Sequence, residues 1–439
     1  MATTISLPYG KQHISFHVPD KNLVGVLWPS AIAACLDPHQ EIELALDHPL
    51  GTQRVEQIVS AGEKVLILVD DYTRGTPVPL ILPHLLDRLK SRQVDDEDIT
   101  LLVSTGTHRP CTESELREKL GEELFGRYRT EQHDCTDHNS QVFLGLTSRG
   151  TPVWVNHLLM ENERIFGIGH IDPSDYAGYA GGWKLIVPGV AALETIDCNH
   201  TLATLSFRNY GSVDLPCRQD INEAGAMVRV DQFINVVLCQ DGQIGRVFAG
   251  GPAEIHSAGV ALAKQVYEVD CPGPVDIAVV SAYPYDVDYY QAIRAIEYAD
   301  VIVRPGGSIL VVAPCPDGIG SETFYRLLAA PNQQPDDFLR NIARRNGKVT
   351  YNVLGYFMTL IRAEKQLFGY MPGITGPELE AIGIHPVASL QSGVDAILQA
   401  HGPKARLAVL PVGSATIPRL VGNTKISVTI QAIGEKPRI

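Results

Sequence analysis

Four short stretches carry the side chains able to do chemistry. In "DDYTRGTP", Asp70, Asp71, Thr73 and Arg74 leave an apolar run together; an arginine so placed suits bidentate recognition of a carboxylate or phosphate, while the plainer reading is an Asx-type turn with a solvated guanidinium. In "STGTHRP", His108 and Arg109 sit just before a helix start. A histidine there can transfer protons near neutral pH, although a lone histidine is as often structural. The third stretch, "GHIDPSDYAGYAGGWK", runs Gly178, Gly181 and Gly182 up to Lys184, and His200 comes after it in "CNHTL". A phosphate loop of the Walker type needs glycine, lysine and Ser/Thr in a row, but Trp183 and Leu185 flank this lysine, and G-x-G-x-x-G is absent too. Two readings of Lys184 stay open on the residues alone. Glycines can let backbone approach a bulky ligand, with the lysine as cation, Schiff base or covalent anchor; or they form a tight helix start with a snorkelling lysine.

The elements that must position these groups have an α/β pattern. Short β-branched runs end in polar or glycine-containing loops: "KVLILVD", "ITLLVSTG", "VDIAVVSAY" and "SILVVAP". Between them, "VPLILPHLLDRLKS" and "TESELREKLGEELFGRY" have helical spacing, and Thr112 with Glu115 forms a capping box. This pattern predicts mainly parallel sheets with crossover helices, with ligands expected beyond the carboxyl ends of the strands. The stretch "EVDCPGPVD" interrupts the pattern with two prolines and a glycine. We therefore divide the chain into two α/β domains, 1–270 and 275–412, with the segment 413–439 returning to the first. Its end, "TKISVTIQAIGEKPRI", alternates like an edge strand.

Composition narrows the class. The chain has 439 residues, 45% of them hydrophobic, enough for a substantial core. Fifty acidic against 36 basic residues give a net charge of −14 with no basic block, which argues against nucleic acid or anionic membrane as a partner. The start lacks a basic and apolar leader pattern and no run of about 18 apolar residues occurs, so a cytoplasmic protein is expected. The eight cysteines form no CxxC pair; thiolate zinc is disfavoured and reduced thiols are expected.

Taken together, "DDYTRGTPVP", "STGTHRPCTESEL", "HIDPSDYAGYAGGWKLIVPGVAALETIDCNH" and "YYQAIRAIEYA" resemble the nickel-dependent lactate racemase family, in that family's order and over most of the chain. The resemblance implies a two-domain fold with the active site in the interdomain cleft, and a nickel-pincer nucleotide as cofactor. It makes Lys184 the covalent anchor, within a cofactor site that takes in Asp71, Thr73, Gly178, Gly181 and Gly182. His200 becomes the nickel ligand, which imidazole suits. Arg74 matches the carboxylate-binding arginine, His108 one of two catalytic histidines, and Gln291 a glutamine near the substrate. Arg294 stands where the lactate enzyme has lysine. The partners implied are a small 2-hydroxy acid and the enzymes that make the cofactor; the oligomeric state is open.

Two departures bear on substrate and mechanism. Ser174 occupies the place of the second catalytic histidine, and the family's tryptophan near the substrate falls close to Asn352. A 2-hydroxy acid larger or more polar than lactate is expected, such as a sugar acid. The chemistry is inversion at the hydroxyl-bearing carbon: hydride leaves to the cofactor as a base takes the hydroxyl proton, then returns to the opposite face. His108 is the expected base on one face, with His170 or a nearby carboxylate on the other. Epimerisation at another carbon of a sugar acid, a non-catalytic nucleotide-binding homologue, and a hydrolase or lyase using Ser174 are the competing readings; no G-x-S-x-G elbow surrounds that serine.

Overall fold

The computed structural model describes residues 1–239 and 242–421. Two six-stranded sheets dominate it. In the first, Ile244–Gly250, Gln232–Leu238, Arg164–His170, Val65–Asp70, Ile99–Ser104 and Arg129–Gln132 lie side by side, and all neighbours are parallel except the first pair. The second orders His385–Pro386, Gln366–Tyr370, Val303–Val312, Val275–Ser281, Leu407–Leu410 and Leu23–Val26, all parallel. Every residue of Val65–Asp70, Ile99–Ser104 and Val275–Ser281 is buried. That is the mark of strands covered by helices on both faces, and it explains why their sequences are continuous apolar runs rather than alternating ones.

The helical segments follow their local chemistry. Val78–Ser91 forms as the spacing predicts, burying seven residues on one side. Glu113–Leu120 begins at the predicted capping box, where Thr112 Oγ1 accepts from Glu115 N (3.3 Å) and Glu115 Oε2 accepts from Thr112 N (2.7 Å). It stops sooner than the helical spacing implies, because Gly121 adopts φ +87° and breaks the helix.

One assignment is corrected. The hairpin Ala2–Tyr9/Gln12–Pro19 buries Ile5, Leu7, Phe16 and Val18 against Ile277, Val279, Leu310 and Leu407, and Leu23–Val26 pairs with Leu407–Leu410. Residues 1–26 thus belong with the second sheet, not with a unit spanning 1–270. Alternation shows that a strand has one buried face but not which sheet it covers. The crossing segment Glu268–Cys271 pairs in parallel with Ile417–Leu420, so the chain does come back to this junction. The strand expected in 424–439 lies outside the described residues. Among the described residues, no helix is long and apolar enough to cross a membrane.

In the first sheet the chain passes from Val65–Asp70 to Ile99–Ser104 on one side, and later lays Arg164–His170 on the other. The carboxyl ends of these strands therefore open at a topological switch point, where a crevice forms without further design.

Candidate active site

That crevice encloses about 1120 Å³, open solvent included, and is bounded on the other side by helices of the second domain. The first strand delivers Asp71 and Arg74 to it, the second His108, the third His170; the glycine-rich loop delivers Lys184, and the helix Leu193–Thr201 delivers His200. Gln291 and Arg294 reach in from Tyr289–Asp300, whose N-terminus is capped by Asp288 accepting from Gln291 N at 2.7 Å.

His108 is held by Asp71. Its Nδ1 lies 2.5 Å from Asp71 Oδ2, and Asp71 Oδ1 accepts from Thr73 N (2.9 Å) and Thr73 Oγ1 (2.6 Å). Burial would raise the Asp71 carboxyl, but the charge and hydrogen bond of His108 win and hold it well below the usual carboxylate range. Nε2 of His108 is left facing the cleft, 3.5 Å from Gln291 Nε2. In this arrangement Asp71 and Thr73 orient the histidine, where the sequence reading put them on the cofactor.

Arg74 and Arg294 flank one tyrosine ring: their guanidinium carbons sit 5.4 and 4.6 Å from the centroid of Tyr285. Two cations over one ring make a clamp for an anion, and the Tyr285 hydroxyl is tied back to Asp172 Oδ2 at 2.5 Å. Burial, then repulsion from Arg74 and Arg294, lowers Lys184 to about 7. Its amine is thus readily neutral, the state in which it is nucleophilic. Lys184 Nζ donates to Ser174 Oγ at 3.1 Å, so the serine turns toward the lysine.

The glycines serve the loop itself. Gly178 has φ +72°, and a Cβ there would meet Ser212 O at 1.9 Å; a Cβ on Gly182 (φ +57°) would meet Pro252 O at 2.9 Å. Gly182 N donates to Asn235 Oδ1 (2.8 Å). Both positions are required small by the protein's own packing, and Gly181 alone of the three borders the cavity. The loop is pinned by Arg218, fully buried, which donates to Ala177 O (3.1 Å), Tyr179 O and Gly181 O (3.5 Å). Sequence reasoning missed Arg218, and nothing in "PCRQDINEAG" distinguishes it from a surface arginine.

His170 does not behave as a free base. Its Nδ1 contacts Thr76 Oγ1 (2.8 Å) and Asp70 Oδ2 (3.3 Å), and its Nε2 lies 3.3 Å from Asp172 Oδ1. Burial would push the imidazole down, but Asp172 and Asp70 outweigh it and raise it to about 9. It is an imidazolium bridging two carboxylates, with Lys119 completing the charge balance at Asp70 Oδ1 (2.5 Å). Asn352 is also displaced from its expected role. It is buried and its amide donates to Asn346 O (3.2 Å) and Lys348 O (3.0 Å), closing the start of its own helix. On Val349–Glu364 the cavity-facing positions are Thr350 and Leu354, four apart; a residue two along from Thr350 points to another side.

His200 fits a metal ligand. Its Nδ1 pairs with Thr350 Oγ1 at 2.9 Å, and Nε2 has no hydrogen bond among the described residues. Burial, then the charge of Lys184, lowers it to about 4, so the ring is neutral; Nδ1–H on Thr350 leaves the Nε2 lone pair for a metal. Among the described residues no group of three or more His, Cys, Asp or Glu side chains is arranged to hold a metal ion. A metal here would need its other ligands from a bound group, and the amine of Lys184 lines the same cavity as His200.

Comparisons with known proteins agree with this architecture. The model of the lactate racemase N-terminal domain matches residues 9–210, and that of the lactate racemase C-terminal domain matches 271–417. The chain is 32% identical over 343 residues to the lactate racemase of Lactiplantibacillus plantarum (76% of this chain, 80% of the relative), and 29% identical over 348 residues to that of Thermoanaerobacterium thermosaccharolyticum (78% and 81%). The structure of the latter's apoprotein superposes with a TM-score of 0.85 at 25% identity, covering 95% of this chain and all of that one. A Thermotoga maritima protein shares the fold, with a TM-score of 0.69 at 20% identity over 89% of this chain and all of that one. The chain belongs to the lactate racemase family.

Proposed function

We infer that the protein is a racemase or epimerase of a 2-hydroxy acid, working with a nickel-pincer nucleotide joined to Lys184. The observation that carries this reading is the convergence, on one cavity, of an aspartate-held histidine, a pair of arginines on one tyrosine ring, a depressed lysine amine and a neutral histidine with one nitrogen to spare.

Lys184 would hold the cofactor covalently and His200 Nε2 would ligate its nickel. Bound there, the group supplies an electrophilic centre able to accept a hydride from C2 and return it. Arg74 and Arg294 take the substrate carboxylate and fix C2 beside the cofactor. His108 Nε2 receives the hydroxyl proton; Asp71, behind Nδ1, keeps the ring in the tautomer that exposes the Nε2 lone pair and stabilises the imidazolium that forms. Closure of the cleft by Tyr289–Asp300 keeps water from the ketone and strengthens both arginine contacts. A serine at position 174 leaves room that an imidazole would fill, which favours acids at or above the size of lactate. Asn352, turned away from the cavity, supplies no polar wall for such a substrate.

The test uses protein purified from a host that makes the cofactor. Nickel should be bound, the peptide containing Lys184 should carry added mass, and a panel of lactate, malate and gluconate should include an acid that is inverted. Nickel-containing protein with unmodified Lys184 would remove the anchor; a loaded protein that inverts no 2-hydroxy acid would remove the activity.

A further inference from the structure

Inversion needs a proton acceptor for each of the two placements of the substrate hydroxyl, and His108 serves one. The remaining acceptors around the cavity are almost all committed. His170 is wedged between Asp70 and Asp172. Asp70 is bound by Thr76 and Lys119, Asp71 by His108 and Thr73, and Asp172 by Tyr285 and His170. His200 has Nδ1 on Thr350, and its Nε2 is the nitrogen the proposed function reserves for a metal.

Asp175 is different. It lines the cavity, its side chain is 17% exposed, and among the described residues its carboxylate makes no hydrogen bond; its nearest cation is Arg294 Nη2 at 3.8 Å. It directly follows Ser174, whose hydroxyl is occupied by Lys184. In the protein interior near Asp175, Glu297 is fully buried with both carboxyl oxygens unpartnered, and burial, then the charge of Asp175, pushes its carboxyl well above the usual range.

We propose that Asp175 is the catalytic base for the enantiomer whose hydroxyl points away from His108. The role rests on the racemase reading above. In the forward step the substrate O–H bond breaks and its proton passes to a carboxylate oxygen of Asp175. The C2–O bond becomes C=O, and the C2–H bond breaks with its electron pair leaving as hydride to the nickel-pincer nucleotide, the two-electron acceptor. Return of hydride to the other face takes a proton from His108, and exchange with solvent restores both bases. A carboxylate is a weaker base than imidazole, so oxidation of this enantiomer is the slower half-reaction, while kcat/KM for net inversion stays equal in both directions because enantiomers have equal energy.

The test is Asp175→Asn in the loaded protein, offered the two C2 configurations of each acid in the panel of lactate, malate and gluconate, with the 2-keto acid trapped by phenylhydrazine in a single turnover. Keto acid from one enantiomer should persist, while that from the other falls by about 10²-fold. Adding Ser174→His should restore part of the loss by returning an imidazole to this face. A second readout needs no cofactor: in unloaded protein, Asp175→Asn should bind pyruvate about threefold more tightly, because an anion is removed from beside Arg294. Equal loss or equal retention for both enantiomers, or unchanged pyruvate affinity, would overturn the role of Asp175. A parent protein that yields keto acid from neither enantiomer would instead overturn the reading of the site on which this role depends.

Discussion

His108 and Asp71 meet at 2.5 Å between ring nitrogen and carboxylate, with Asp71 only 2% exposed. They come from loops after adjacent parallel strands, Val65–Asp70 and Ile99–Ser104, whose register aligns Asp70 with Ser104. The sheet therefore builds the pair, and the other ring nitrogen of His108 borders the cleft beside Gln291.

His108→Ala should lower activity from His108's face, and hence net inversion in both directions, by about 10²-fold or more. Asp71→Asn should cost about tenfold or more while leaving His108 present, because the wrong tautomer is then favoured. Steady-state kinetics in both directions checks both. Parent-like turnover in His108→Ala would clear that histidine of a role.

Lys184 should react as an amine far below the usual lysine range. Reductive methylation of unloaded protein, followed by peptide mass, should show Lys184 labelling rise with a midpoint near pH 7. Ser174→Ala removes the group that orients this amine. It should slow loading of the cofactor while turnover per bound nickel changes by less than about fivefold, one neutral hydrogen bond being worth on the order of 1 kcal/mol.

His170 gives the fold a pH dependence whose sign is fixed. Its folded value is raised to about 9 from 6.5. It therefore adds stability fully below pH 6.5, and that contribution is lost as pH rises through about 9. The advantage of the parent over His170→Gln in urea unfolding should shrink across this window. An advantage that grows with pH would mean that the ring is buried neutral.

Thr350 and Asn352 should separate cleanly although they are two residues apart. Thr350→Val removes the partner of His200 Nδ1 and should weaken nickel retention. Asn352→Ala should lower stability by about 1–2 kcal/mol, from the two amide hydrogen bonds to Asn346 O and Lys348 O that it removes, with KM unchanged. Nickel analysis, thermal unfolding and KM together decide between them.

The parallel strands and the residues at their carboxyl ends were legible because a doubly covered strand must be a continuous apolar run, and the loop after it must be polar. Arg74 and His108 were found that way, Lys184 by the glycines before it and His200 by the family resemblance, and all four share one cavity. Arg218 and the Asp70–His170–Asp172 bridge were not legible, since each depends on partners tens of residues away. The side that Asn352 faces could not be read either: it depends on the rotation of one helix about its axis, and neighbouring positions on that helix are polar or aromatic in several directions. Residues 1–26 were grouped with the first domain because a local strand pattern carries no label for the sheet it joins.

Hydride transfer at C2 is the centre of the account, and inversion of the substrate in heavy water tests it most directly. The loaded protein is given one enantiomer of the acid it inverts, and the product's C2 position is read by mass spectrometry and proton NMR. Transfer as hydride predicts that the original hydrogen is found at C2 of the inverted product in most turnovers, while the hydroxyl exchanges freely. Deuterium at C2 in most of the product would show that the hydrogen leaves as a proton, and would contradict the account.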